Sequence, residues 1–167
     1  MDPLAVLLRS NERETLQFFF SGLRDVTVDE EIDESALLYN ASVLAHFAST
    51  SVFSPDRLPA PRWLGDVFDR FIIDPNVRHD TEIMEWAAAQ CLIFTGFFGD
   101  QTERRHNLEW YGHIGADFFE LAATSTLVVP RKQMMKRMSE EFDDWRRRYR
   151  KLSRELRDLP YLLPSPF

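Results

Sequence analysis

The stretch MKRMSEEFDDWRRRYRKLSRELRDL, residues 135–159, decides the fold. Its apolar members, Met135, Met138, Phe142, Trp145, Tyr149, Leu152, Leu156 and Leu159, follow one another at alternating steps of three and four. That spacing places one apolar residue per turn on a single helical stripe, repeating about every 3.5 residues. Pro130 suits the first position of this helix, because a proline there loses only an N–H that would lack a helical partner, and Pro160 must stop it. The residues beside the stripe are basic. From Arg131 to Phe167 there are 11 Lys+Arg against 6 Asp+Glu, whereas the first 130 residues carry 9 against 21. A basic amphipathic helix on an acidic body docks onto that body, onto a second copy, or onto an anionic partner. Phe142, Trp145 and Tyr149 are bulky for a two-stranded coiled coil, which favours Ile, Val and Leu at its seam. A groove between helices of the chain's own bundle suits them better, with a homodimer through residues 130–159 as the other candidate. Extended away from the body, the helix would project roughly 40 Å and need a partner.

Working outward, helical spacing dominates and only six glycines interrupt it. Leu16, Phe19, Phe20 and Leu23 define a first helix, capped by Ser10 or Asn11 and ended by Gly22 and the Val26–Val28 stretch. The acidic run Asp29–Glu34 suits the positive end of the next helix dipole. That helix carries Leu37, Leu38, Ala41, Leu44, Ala45 and Ala48 on its apolar positions. Three prolines make residues 54–62 a loop, and Trp63, Leu64, Val67, Phe68, Phe71 and Ile72 give a third helix. Residues 82–98 are apolar on nearly every side, as a central helix enclosed by others would be, with Gly96 and Gly99 at its end. Leu108, Tyr111, Ile114, Phe118, Leu121 and Ala122 define the next helix. No strand-like alternation, βαβ rhythm, internal repeat or low-complexity linker is present. The expectation is an all-α, single-domain bundle of about six helices over residues 1–160, with a long amphipathic C-terminal helix and an extended tail at 161–167.

Composition and motifs bound the function. A chain of 167 residues with 14 Phe and 4 Trp has ample material for one core. The lone Cys91 cannot form an internal disulfide, and its apolar neighbours point to a buried, inert thiol. The N-terminus lacks the basic region of a signal peptide, and the longest apolar stretch, 86–98, falls short of the roughly 20 residues of a membrane span. These features predict a soluble, cytoplasmic protein with no membrane association.

The histidines, His46, His79, His106 and His113, occur in no Glu-x-x-His pattern, so no metal site is expected. No Gly-x-Ser-x-Gly, Gly-x-Gly-x-x-Gly or Walker loop occurs, so no catalytic residue and no cofactor is assigned. Arg146, Arg147, Arg148, Arg150 and Lys151 invite a nucleic-acid reading. Acidic residues at helical distance, pairing Asp143 with Arg147 and Asp144 with Arg148, and the acidic whole disfavour it.

The most site-like segment is GFFGDQTERRHNLEWYGHIGADFFELAA, residues 96–123. Arg104, Arg105 and His106 precede Trp110, Tyr111 and His113, and cations beside aromatics hold anions or planar ligands. The structural alternative has the arginines serving a helix C-terminus, with Gly112 and Gly115 admitting another helix at close range. The segment resembles one in a family of uncharacterised bacterial helical proteins that runs Gly-Phe-Phe, Arg-Arg, an aromatic pair, Ile-Gly and a further aromatic. Gly96, Phe97, Phe98, Arg104, Arg105, Trp110, Tyr111, Ile114, Gly115 and Phe119 carry the likeness, with Trp110 standing where that family more often has tyrosine. A weaker likeness covers LLYNASVLAHFAST at 37–50. The resemblance spans residues 35–160 and implies an all-α bacterial domain without a known activity. The expected function is therefore a binding or scaffold protein whose partner is another protein or a second copy. An enzyme or small-ligand sensor with a pocket at Trp110, Tyr111 and His113, and possible use of His46, is the alternative.

Overall fold

The computed structural model describes residues 12–53, 80–102 and 107–156. Every regular element among them is helical: α1 (Glu12–Val26), α2 (Glu34–Phe53), α3 (Thr81–Leu92), a π-helical segment (Ile93–Phe97), α4 (Gly99–Thr102), α5 (Leu108–Ser125), α6 (Val129–Glu140) and α7 (Phe142–Glu155). The all-α expectation is met. The helix expected at 63–72, the proline loop at 54–62, the caps at Ser10 and Asn11, Leu159 and the tail at 161–167 lie outside the described residues. Contacts divide the described chain into two compact units, residues 12–53 with 151–156, and residues 80–102 with 107–150.

In the first unit, Phe19, Leu23 and Val26 of α1 face Leu37, Ala41, Leu44, Phe47 and Ala48 of α2 across a buried apolar layer. Gly22 does not end α1. It lies inside the helix, and a Cβ there would come within 2.9 Å of Leu152 Cδ1. The glycine therefore makes room for a neighbour, and Thr27 closes the helix instead, its hydroxyl donating to Leu23 O at 2.6 Å. Lys151 Nζ donates to Val26 O at 3.0 Å, a cation at the negative end of the α1 dipole. Asp33 opens α2, its Oδ1 accepting from Ser35 N at 3.3 Å. Of the two adjacent leucines, Leu37 is buried and Leu38 is exposed, since neighbours in a helix lie about 100° apart and share no stripe.

The second unit is built around α3, which Asp80 opens by accepting from Ile83 N at 3.1 Å. From Ala87 through Gly99 every residue is buried, as expected of an enclosed helix. At Ile93 the winding widens. Phe98 N reaches back five residues to Ile93 O at 2.9 Å, and the Thr95 hydroxyl donates to Cys91 O at 2.7 Å. Asn107 opens α5 by accepting from Trp110 N at 3.2 Å, and Thr126 closes it, its hydroxyl donating to Ala122 O at 2.7 Å.

The seam runs along α6 and α7. Met135, Met138, Phe142, Trp145, Tyr149 and Leu152 are all buried, and Leu156 is half-buried. The single long helix expected from Pro130 is instead two, because the backbone at Glu141 leaves the helical region (φ −101°, ψ 17°). The turn that breaks is held by α5 on both sides. Ser139 Oγ donates to Ala116 O at 2.8 Å, and the Phe142 ring is lodged against Gly115. The register survives the break, with Trp145 N reaching Glu141 O at 3.0 Å. Val129 takes the first position of α6, and Pro130 follows it.

Close approach of α7 depends on absent side chains. A Cβ on Gly115 would lie 2.5 Å from Phe142 Cζ and 2.7 Å from Cys91 Cβ, and one on Gly96 would lie 2.8 Å from Tyr149 Cβ and 3.1 Å from Arg146 O. Gly112 is similarly covered by Arg146 Nη1 at 2.8 Å from such a Cβ. The expectation that Gly112 and Gly115 admit another helix holds, and that helix is α7. Gly115→Ala should destabilise the protein by about 1–3 kcal/mol through overpacking, despite alanine's better helix propensity. Gly99→Ala, where the nearest atom is the flexible Arg150 Nε at 3.4 Å, should be close to neutral. Urea denaturation of the two variants checks the contrast.

Candidate functional site

Among the described residues the clearest concavity is an open groove of about 620 Å³ between α1 and α2, inside the first unit. Arg13, Leu16, Gln17, Phe20 and Ser21 line one wall, and Glu34, Ser35 and Leu38 line the other. Heptad-like spacing positions them: Arg13, Leu16, Gln17 and Phe20 recur at helical steps beside the buried stripe of α1. The floor is apolar, from Leu16, Phe20 and Leu38, and the rim is polar. Leu38 keeps 48% of its surface exposed. Phe20 is half-buried beneath the Arg24 guanidinium, 5.3 Å from the ring centre. The surroundings are acidic: residues 12–53 hold eight Asp+Glu (12, 14, 25, 29, 30, 31, 33, 34) against Arg13 and Arg24, a net of −6.

Sequence reasoning placed Leu16, Phe20 and Leu38 in the apolar core and so missed the groove. The adjacency of Leu37 and Leu38 was the available signal, because only one of two neighbouring helical positions joins a narrow buried stripe.

The segment expected to form a site is only partly on view. Arg104, Arg105 and His106 lie outside the described residues. Trp110 and His113 are exposed in the first turns of α5, and Tyr111 is half-buried, its ring edge-on to Trp110 with centroids 4.9 Å apart. Burial, and secondarily the nearby Cys91, raises the Tyr111 phenol above its ordinary value of 10.0. His46 is exposed on α2. Among the described residues no three His, Cys, Asp or Glu side chains gather as a metal site, and no helix is long and apolar enough to cross a membrane.

The basic cluster of α7 is engaged within the chain. Arg146 pairs with Asp143 at 3.3 Å and approaches Leu108 O at 3.4 Å, while Arg147 pairs with Asp144. Both ion pairs are spaced i,i+3 rather than the expected i,i+4. Arg148 is diverted onto the Trp145 ring, 4.5 Å from its centre, which frees Asp144 for Arg147. Arg150 holds Asp100 at 2.8 Å.

Cys91 is fully buried, and desolvation pushes its thiol far above the ordinary 9.0. The same cause raises the buried Tyr149 phenol well above 10.0. Neither group is a nucleophile in the folded state. Both bind their protons more tightly when folded, so their stabilising contribution is complete below the ordinary values and declines as pH rises past 9 to 10. Urea midpoints should therefore fall between pH 8 and pH 11, with a shallower fall in Cys91→Ala. The native thiol should stay unreactive toward a disulfide reagent at pH 8 until denaturant is added; prompt labelling would contradict its burial. No protein family, curated protein or solved structure matches this chain.

Proposed function

We propose that this chain is a non-catalytic interaction module that seats a short amphiphilic protein segment in the α1–α2 groove. The observation that carries this reading is the groove's lining, three apolar side chains with Leu38 half-exposed, within an acidic stretch of net charge −6. Such a surface suits a segment that offers aliphatic side chains beside Lys or Arg. The seam is a poor recognition surface by comparison. Trp145 and Tyr149 are fully buried, and a homodimer through them would first have to uncover both. The sealed thiol of Cys91 also favours binding over covalent chemistry.

Panning a random peptide library on the full chain tests the reading. Enriched peptides should carry aliphatic residues next to Lys or Arg. They should bind Leu38→Glu and Ser21→Arg at least about tenfold more weakly than wild type. Both positions are exposed, so thermal melting should change little. Equal binding to wild type and both variants, or no enrichment, would refute the groove.

A further inference from the structure

The turn between α5 and α6 exposes three consecutive apolar residues. Leu127 is 96% exposed, Val128 60% and Val129 61%. The turn is held in shape from both sides, by the Thr126 hydroxyl on Ala122 O at 2.7 Å and by Lys132 N on Val128 O at 2.9 Å. Lys132 and Lys136 are exposed and continue the face that Val129 begins, at steps of three and four, while Met135 and Met138 turn inward on the opposite face. Residues 127–137 contain four Lys+Arg and no Asp or Glu. The result is a rigid apolar apex backed by cations.

That apex has the chemistry the α1–α2 groove requires. We propose that the apex of one copy docks into the groove of a second copy of this chain, a head-to-tail contact that rests on the groove reading above. Leu127 and the two valines would cover the apolar floor. Lys132 and Lys136 would face the acidic run at Asp29–Glu34, a +4 surface against a −6 surface. Arg13, the one cation of the lining, already has an interaction within its own chain. Because the two surfaces differ, the contact is heterologous. Each copy offers both halves, so association continues beyond a dimer unless the rotation closes a ring. Pre-ordering of the apex reduces the entropy lost on docking.

Sedimentation of the full chain over a concentration series provides the test. Wild-type mass should rise with concentration past that of a dimer, or to a closed ring, and the rise should weaken with added salt. Leu127→Glu/Val128→Glu should abolish it, as should Leu38→Glu, all at exposed positions. Mixing the two variants should restore a single 1:1 complex, since one intact apex meets one intact groove. Wild type that keeps single-chain mass throughout, a dimer indifferent to these variants, or variants that fail to complement would each overturn the proposal. A single-chain mass with library peptides still bound in the groove would remove self-association and leave the groove reading standing.

Discussion

The contact on which the second unit depends is the Phe142 ring against Gly115 and Cys91. Where α5 offers only a hydrogen, α7 inserts an aromatic ring, and the two helices meet on the flank of α3. A void or an extra methyl at such a point is felt at once, because interiors pack as densely as organic crystals. The break at Glu141, the bond from Ser139 to Ala116 and the inward set of Trp145 and Tyr149 all follow from holding that ring in place.

The seam shows what period alone conveys. From Met135 to Leu152 every stripe residue is buried, because apolar residues recurring once per turn must face something other than water. Period is silent on continuity. Nothing between Met138 and Asp144 is a proline or glycine, so the break at Glu141, imposed by tertiary contacts, left no mark in the sequence. Gly22 failed as a stop signal for a related reason. A glycine that ends a helix and one that admits a leucine look alike until the partner is known. The widened turn at Ile93–Phe97 was equally hidden.

For the site, composition misled where it counted residues and helped where it counted neighbours. Five cations around Tyr149 suggest an anion-binding face, yet ion pairs, a carbonyl and an indole ring engage them inside the chain. The acidic residues interleaved at helical distance were the better guide. The groove was not visible as a groove, since a concavity arises from two helices that only folding brings together. Its residues were read as core because apolar type predicts burial in general and says little about the margin of a stripe.

The π-helical turn at Ile93–Phe97 has a consequence for how this chain tolerates change in length. A five-residue closure accommodates one residue more than an α-turn, without lengthening the helix by a full step. Gly96 lies in that turn, under the backbone of α7, and Phe97 and Phe98 are buried beyond it. Removal of a single residue here would rewind the turn as ordinary helix and rotate everything after it by about 100°. Both phenylalanines would swing away from their sockets, and a side chain would be carried toward the space Gly96 keeps empty. Substitutions in this turn change one contact, whereas a one-codon deletion changes the phase of all of them.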